Sequence, residues 1–159
     1  MRKLLVALGA CAVVGSGSTA HADGPERFSY DFDDEFVDTE SCAPWGFDIH
    51  AVQREHGDVT IYLDADGNFV RGVNHITLEF TISANGLALT ERDVFNVFFD
   101  EDGRREVGLW GHIQGPDGGM VLLGAGQLVF DADGDFLYER GPHPQFFGAS
   151  FCDALVPTG

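Results

Sequence analysis

The chemically capable residues of this chain are carboxylates, histidines and a few cysteines. Asp-x-Asp-Gly occurs three times, at residues 64–67, 100–103 and 131–134. The spacing invites a calcium reading, because an EF-hand loop alternates Asp ligands and places Gly at its sixth position. With each glycine set at position six, position one is Tyr62, Phe98 or Val129, and position twelve is Val73, Leu109 or Arg140. None supplies the required carboxylate, so the EF-hand is rejected. Turn chemistry accounts for the motif more simply: the first Asp bonds nearby backbone N–H groups, and Gly takes the left-handed conformation of a bulged type I turn.

The histidines follow no metal-ligand spacing. Neither His-Glu-x-x-His nor Cys-x-x-Cys occurs, and no metal or cofactor is expected. His75 and His112 fall mid-strand, where distant residues can converge on one ligand. Glu79 and Glu106 are the most strand-embedded carboxylates, and their alternation phase points both outward to solvent. Trp110, with His75, His112 and Glu79, completes the candidate ligand-binding set. Gly108-Leu109-Trp110 matches the Gly-x-Trp of lipocalins, but that motif lies on their first strand and here it is mid-chain, so it carries no weight. His143, between Pro142 and Pro144, marks a rigid corner. Gly148-Ala149-Ser150-Phe151-Cys152 lacks the second glycine of a nucleophile elbow. Lys3 is the only lysine, so once the leader is removed Schiff-base chemistry and a lysine base are excluded.

The leader is read from the first residues. Arg2 and Lys3 precede an apolar run over 4–14, and Ala20-His21-Ala22 forms an Ala-x-Ala cleavage pattern. Residues 1–22 are therefore expected to be a signal peptide, and residues 23–159 a single domain that is secreted. The competing reading is a lipid anchor at Cys11, after Leu8-Gly9-Ala10. No later apolar run is long enough for a transmembrane helix.

Cleavage leaves seven arginines against 26 carboxylates. That field repels phosphate backbones and anionic bilayers, so neither nucleic acid nor membrane is an expected partner. Cys42 and Cys152 also remain. An even pair in an exported chain reads as a disulfide tying the early chain to the C-terminal segment.

The elements that must position these groups are strands. Phe28, Tyr30 and Phe32 alternate with polar residues, and residues 47–54 continue the period. His56-Gly57-Asp58 reads as a turn before the β-branched run 59–63. Ile76, Leu78, Phe80 and Ile82 share one face, and Asn85-Gly86 is a strong hairpin signal. Further strands follow over 87–99, 104–114, 120–130 and 135–140. The glycines of Gly124-Ala125-Gly126 permit a bend within a strand. The expected fold is all-β, an antiparallel up-and-down β-barrel of about eight strands, with a β-sandwich as the alternative. Residues 94, 95 and 97–99 are apolar on both faces, so one face needs cover from a terminal segment or a second copy.

The meander, the run Gly124-Ala125-Gly126-Gln127-Leu128-Val129-Phe130-Asp131 and the closing Gly141-Pro142-His143-Pro144 and Phe151-Cys152 resemble small secreted bacterial proteins with an allene oxide cyclase-like or dirigent-like barrel. The resemblance implies an eight-stranded barrel around an apolar cavity, often oligomeric. It transfers no catalytic residue. Function is thus expected to be non-enzymatic binding of a small apolar ligand or a protein partner. An isomerase- or cyclase-like enzyme acting on a hydrophobic substrate in the barrel, and a structural cell-surface protein, are the alternatives.

Overall fold

The computed structural model describes residues 24–142 and 150–157. Both leader readings and His143 lie outside the described residues. Among these residues seven strands, β1 (Glu26–Asp38), β2 (Ile49–Leu63), β3 (Phe69–Ala84), β4 (Leu87–Asp100), β5 (Gly103–Gln114), β6 (Met120–Asp131) and β7 (Phe136–Arg140), follow one another in one sheet. Every neighbouring pair is antiparallel. The all-β up-and-down architecture is therefore as expected. Among the described residues β1 and β7 are the two ends of the sheet, with no ladder between them.

One expected break is absent. β2 runs unbroken through His56-Gly57-Asp58, and its register with β1 pairs Tyr30 with Gly57 and Asp31 with His56. Gly57 lies beneath the ring of Tyr30, where any Cβ would overlap it. The glycine that suggests a turn in sequence is thus a strand glycine covered by its aromatic neighbour, a known way of stabilising such positions. Gly72 and Phe99 repeat the arrangement on β3 and β4.

The hairpin tips obey turn chemistry. Asn85 (φ 54°) and Gly86 (φ 78°) close β3 onto β4, with Ala84 opposite Leu87, as a two-residue turn with two positive φ angles requires. In the first Asp-x-Asp-Gly, Asp64 Oδ1 accepts the N–H groups of Asp66 and Asn68. In the third, Asp131 Oδ1 accepts those of Asp133 and Asp135. Asp100 Oδ1 accepts Asp102 N–H in the second. These carboxylates are occupied as turn braces, and hydrogen bonds from Asn68 hold Asp64 below the usual carboxylate range.

Strand alternation and register divide the sheet into two faces. Ile49, Ala51, Val59, Ile76, Ile82, Leu89, Ile113 and Leu122 are buried on one, the core face. The tightest packing sits at one end of the sheet. There a 3-10 turn (Ala43–Trp45) and α1 (Ser150–Asp153) cover the starts of β2, β4 and β6 and the ends of β3 and β5. The expected Cys42–Cys152 disulfide joins these two short helices across 110 residues of sequence. Trp45 Nε1 donates to Asp153 Oδ1 at 2.8 Å beside it. Leu155, fully buried, accepts a hydrogen bond on its carbonyl from Asn85 Nδ2 at the hairpin tip.

The opposite, outer face is polar at one edge and aromatic further in. Its aromatics are covered largely by arginine. Arg105 stacks 4.7 Å from the ring centroid of Phe98, and Arg71 stacks 4.6 Å from that of Tyr62, each pair directly opposed across a ladder. On the core face Arg104 lies over Phe130 in the same way at 4.2 Å. A planar guanidinium on a ring face gains cation–π attraction while keeping its edge in water. The side chain therefore shields an aromatic that would otherwise need a covering segment.

Candidate functional site

Three polar groupings interrupt the apolar core face. The first spans β1, β2 and β3. Tyr30 lies across Gly57, so its hydroxyl passes beyond β2's missing side chain and donates to Glu55 Oε1. Asn74 Nδ2 donates to the same phenol oxygen at 2.9 Å. Burial, then the hydrogen bond to Glu55, pushes the Tyr30 phenol up to about 12. Asn74 Oδ1 is buried and accepts nothing among the described residues, an uncommon state for a buried oxygen.

The second grouping is built by a bulge. β5 places one extra residue opposite β4 between the Glu91–Ile113 and Val94–Leu109 pairs. The bulge frees backbone N–H groups, and Asp93 accepts two of them, from Gly111 at 2.8 Å and His112 at 3.0 Å. Asp93 is a buried charged residue at 3% exposure, and these two donors compensate its desolvation. Glu91, two residues earlier on the same face, is pushed up to about 8 by burial and by the neighbouring Asp93 carboxylate, to which it hydrogen-bonds. A carboxyl so raised favours its protonated form at neutral pH.

The third grouping corrects an expectation. Glu106 was expected to face outward. Register places it on the core face beside Val97 and Leu128, and its side chain is only 21% exposed. Burial raises its carboxyl, opposed by Arg104, whose Nε lies 3.1 Å from Oε1. That Nε is off the line of a hydrogen bond. Alternation counted back from Ile113 puts Glu106 outward, and the bulge between Trp110 and Ile113 reverses that phase.

The expected ligand-binding residues are placed apart. His75 is exposed on the outer face of β3, with Nδ1 3.1 Å from Asn96 Oδ1. Glu79 is exposed on the same strand, directly opposite Arg92. Four residues separate it from His75, roughly 13 Å of strand. His112 lies on the bulge, half-buried, with Nε2 3.5 Å from Gln114 Nε2. The backbone of Trp110 pairs with Gly124, and its side chain lies outside the described residues. Among the described residues no hydrogen bond or ion pair links these four positions.

The exposed chemistry gathers on β1 instead. Phe28, Phe32 and Phe36 share its core-side face, at 56%, 47% and 37% exposure. Only Phe36 has a ring partner among the described residues, packing edge-on to Phe80 at 6.1 Å. The outer side of the same strand carries Asp31, Asp33 and Glu35. These face His56, Arg54 and His50 of β2 at 2.8, 3.7 and 2.8 Å. The hydrogen bond that His56 makes to Asp31 raises His56, and the hydroxyl of Ser29 holds Asp58 below the ordinary carboxylate range. Two open surface depressions adjoin the two ends of β1. One, of about 580 Å³, is bordered by Val37, Ile49, His50, Ser83 and Leu87. The other, of about 410 Å³, is bordered by Arg27, Phe28, Asp58 and Val59. Neither is lined by Glu91, Asp93 or Glu106.

Comparison with known proteins finds no family model, curated protein or solved structure that matches the chain. Among the described residues no helix is long and apolar enough to cross a membrane, and no group of three or more His, Cys, Asp or Glu is arranged to hold a metal ion. The disulfide is consistent with an extracellular setting.

Proposed function

We propose that this chain is an exported, non-enzymatic binding protein that engages a protein partner through β1. The observation that carries this reading is the row Phe28, Phe32 and Phe36, three large apolar side chains left exposed on one face of a terminal strand. Isolated exposed apolar residues are ordinary, but three exposed phenylalanines on one face of one strand, interspersed and rimmed by charge, mark an interaction surface. Export, with residues 1–22 removed as a leader, agrees with the disulfide and with the strongly acidic composition.

A small apolar ligand is the second reading, favoured by the two depressions. The enzyme reading has Glu91 as its acid–base candidate, but that carboxyl belongs to the bulge and borders neither depression. The resemblance to allene oxide cyclase-like barrels supports the fold type and no activity. Native mass spectrometry of the protein purified from its own host is the test. A polypeptide of defined mass that is retained by the native chain and lost from Phe32→Ser supports the reading. A co-purifying lipid, or a partner retained equally by the variant, overturns it.

A further inference from the structure

The partner surface has a chemistry specific enough to name what it takes. β1 carries six carboxylates and one arginine within thirteen residues. Its aromatic side chains point to one face, with Asp34 between Phe32 and Phe36, and Asp31, Asp33 and Glu35 to the other. On the described residues it pairs only with β2, so its second backbone edge has no ladder partner. Charged residues on such an edge oppose pairing with a like-charged strand. A second copy of β1 would set acid against acid, and so this edge disfavours itself.

We propose that β1 takes up an extended polypeptide segment of alternating apolar and basic residues as an added strand. This rests on the reading of β1 as the partner surface and names the kind of partner. An added strand would satisfy the edge with main-chain hydrogen bonds, while alternate side chains read the two faces. Its apolar residues meet Phe28, Phe32 and Phe36. Its lysines or arginines meet the acidic side, where Asp33 and Arg54 are 3.7 Å apart with side chains 78% and 74% exposed. Exposed pairs of that kind contribute little on their own and are readily re-partnered. The acidic charge of the whole chain, −17 by formal count, steers a cationic segment toward the surface.

The test uses the full disulfide-bonded chain and a short end-capped peptide of alternating lysine and valine. Binding is followed by fluorescence anisotropy and by amide hydrogen exchange. Expected are saturable binding that weakens with added salt, slower exchange of β1 amides, and about a tenfold loss of affinity in Phe32→Ser. Phe32 is half-exposed, so the variant should keep the fold, which far-UV circular dichroism checks. A block-ordered peptide of the same composition should bind more weakly, and an alternating glutamate–valine peptide should not bind. Equal binding of the block peptide, unprotected β1 amides, or no binding of the alternating peptide overturns the proposal. If the alternating peptide fails while a natural partner is lost from Phe32→Ser in native mass spectrometry, this inference falls and the binding function stands.

Discussion

The phenol ring of Tyr30 lies directly over Gly57, its cross-strand partner, and reaches past it to Glu55 and Asn74. The absence of a side chain at one position therefore creates the hydrogen-bond geometry at three others. Gly57→Ala should displace the ring and cost about 1–3 kcal/mol, the usual penalty for overpacking, measured by denaturant unfolding. The same variant should bring the Tyr30 phenol down from about 12 toward its ordinary value near 10, read by ultraviolet titration. A raised phenol favours its neutral form. Its contribution to stability is present below the unfolded value and is lost as pH rises through the folded one.

The Glu91–Asp93 pair predicts an unusual alkaline weakness. Glu91 is about 8 in the fold against an ordinary 4.5, so the native state holds a proton the unfolded chain has released. Stability from this group is complete below the unfolded value and falls as pH rises through about 8. Glu91→Gln removes the charge that must otherwise be buried. Its unfolding free energy should exceed that of the wild type at pH 9 and differ little at pH 4. A wild-type profile parallel to that of Glu91→Gln would refute the raised Glu91 carboxyl.

Asp93 has the opposite character, because its carboxylate satisfies two N–H groups of the bulge. Asp93→Ala should cost about 2–4 kcal/mol by stranding both donors. Hydrogen exchange at Gly111 and His112 should accelerate more than at amides of β2.

The outer ladder between β1 and β2 likewise loses stability as pH rises. Asp31 raises His56 above its ordinary value, so charged His56 favours the fold. That contribution is present below the unfolded value and is lost as pH rises through the folded one. Asp31→Asn should lower the His56 titration midpoint, followed by its ring proton shifts in NMR.

Cys42→Ser with Cys152→Ser tests the clasp over the tightest part of the core. The double variant should lose about 2–5 kcal/mol, typical of removing a native disulfide. Reductant should lower the melting temperature of the wild type and leave the variant unchanged.

The strand pattern was legible because its signals are local. Ile76, Leu78, Phe80 and Ile82 alternate cleanly, Asn85-Gly86 sets its own backbone angles, and the first Asp of each repeated turn bonds its own loop. What misled were residues whose meaning depends on a neighbour strand. Gly57 looks like a turn until Tyr30 is placed over it. Glu106 follows an outward phase until the bulge between Trp110 and Ile113 reverses it. Asp93 looks like one more surface acid in a chain rich in them, yet it is buried because a bulge on β5 supplies its donors. No spacing within β4 could announce that. The exposed phenylalanines of β1 were visible as a strand, but their exposure follows from a terminal place in the sheet.

Strand order in space follows strand order in the chain throughout the described sheet. Each hairpin can therefore form as soon as its second strand is made, with little loop-closure cost. Cys42 must wait for Cys152, 110 residues later. A chain emerging N-terminus first would zip its sheet progressively and oxidise last. The clasp then records completion of the fold and does not guide it, so chains truncated before residue 152 should still acquire hairpin structure while keeping Cys42 open to thiol reagents.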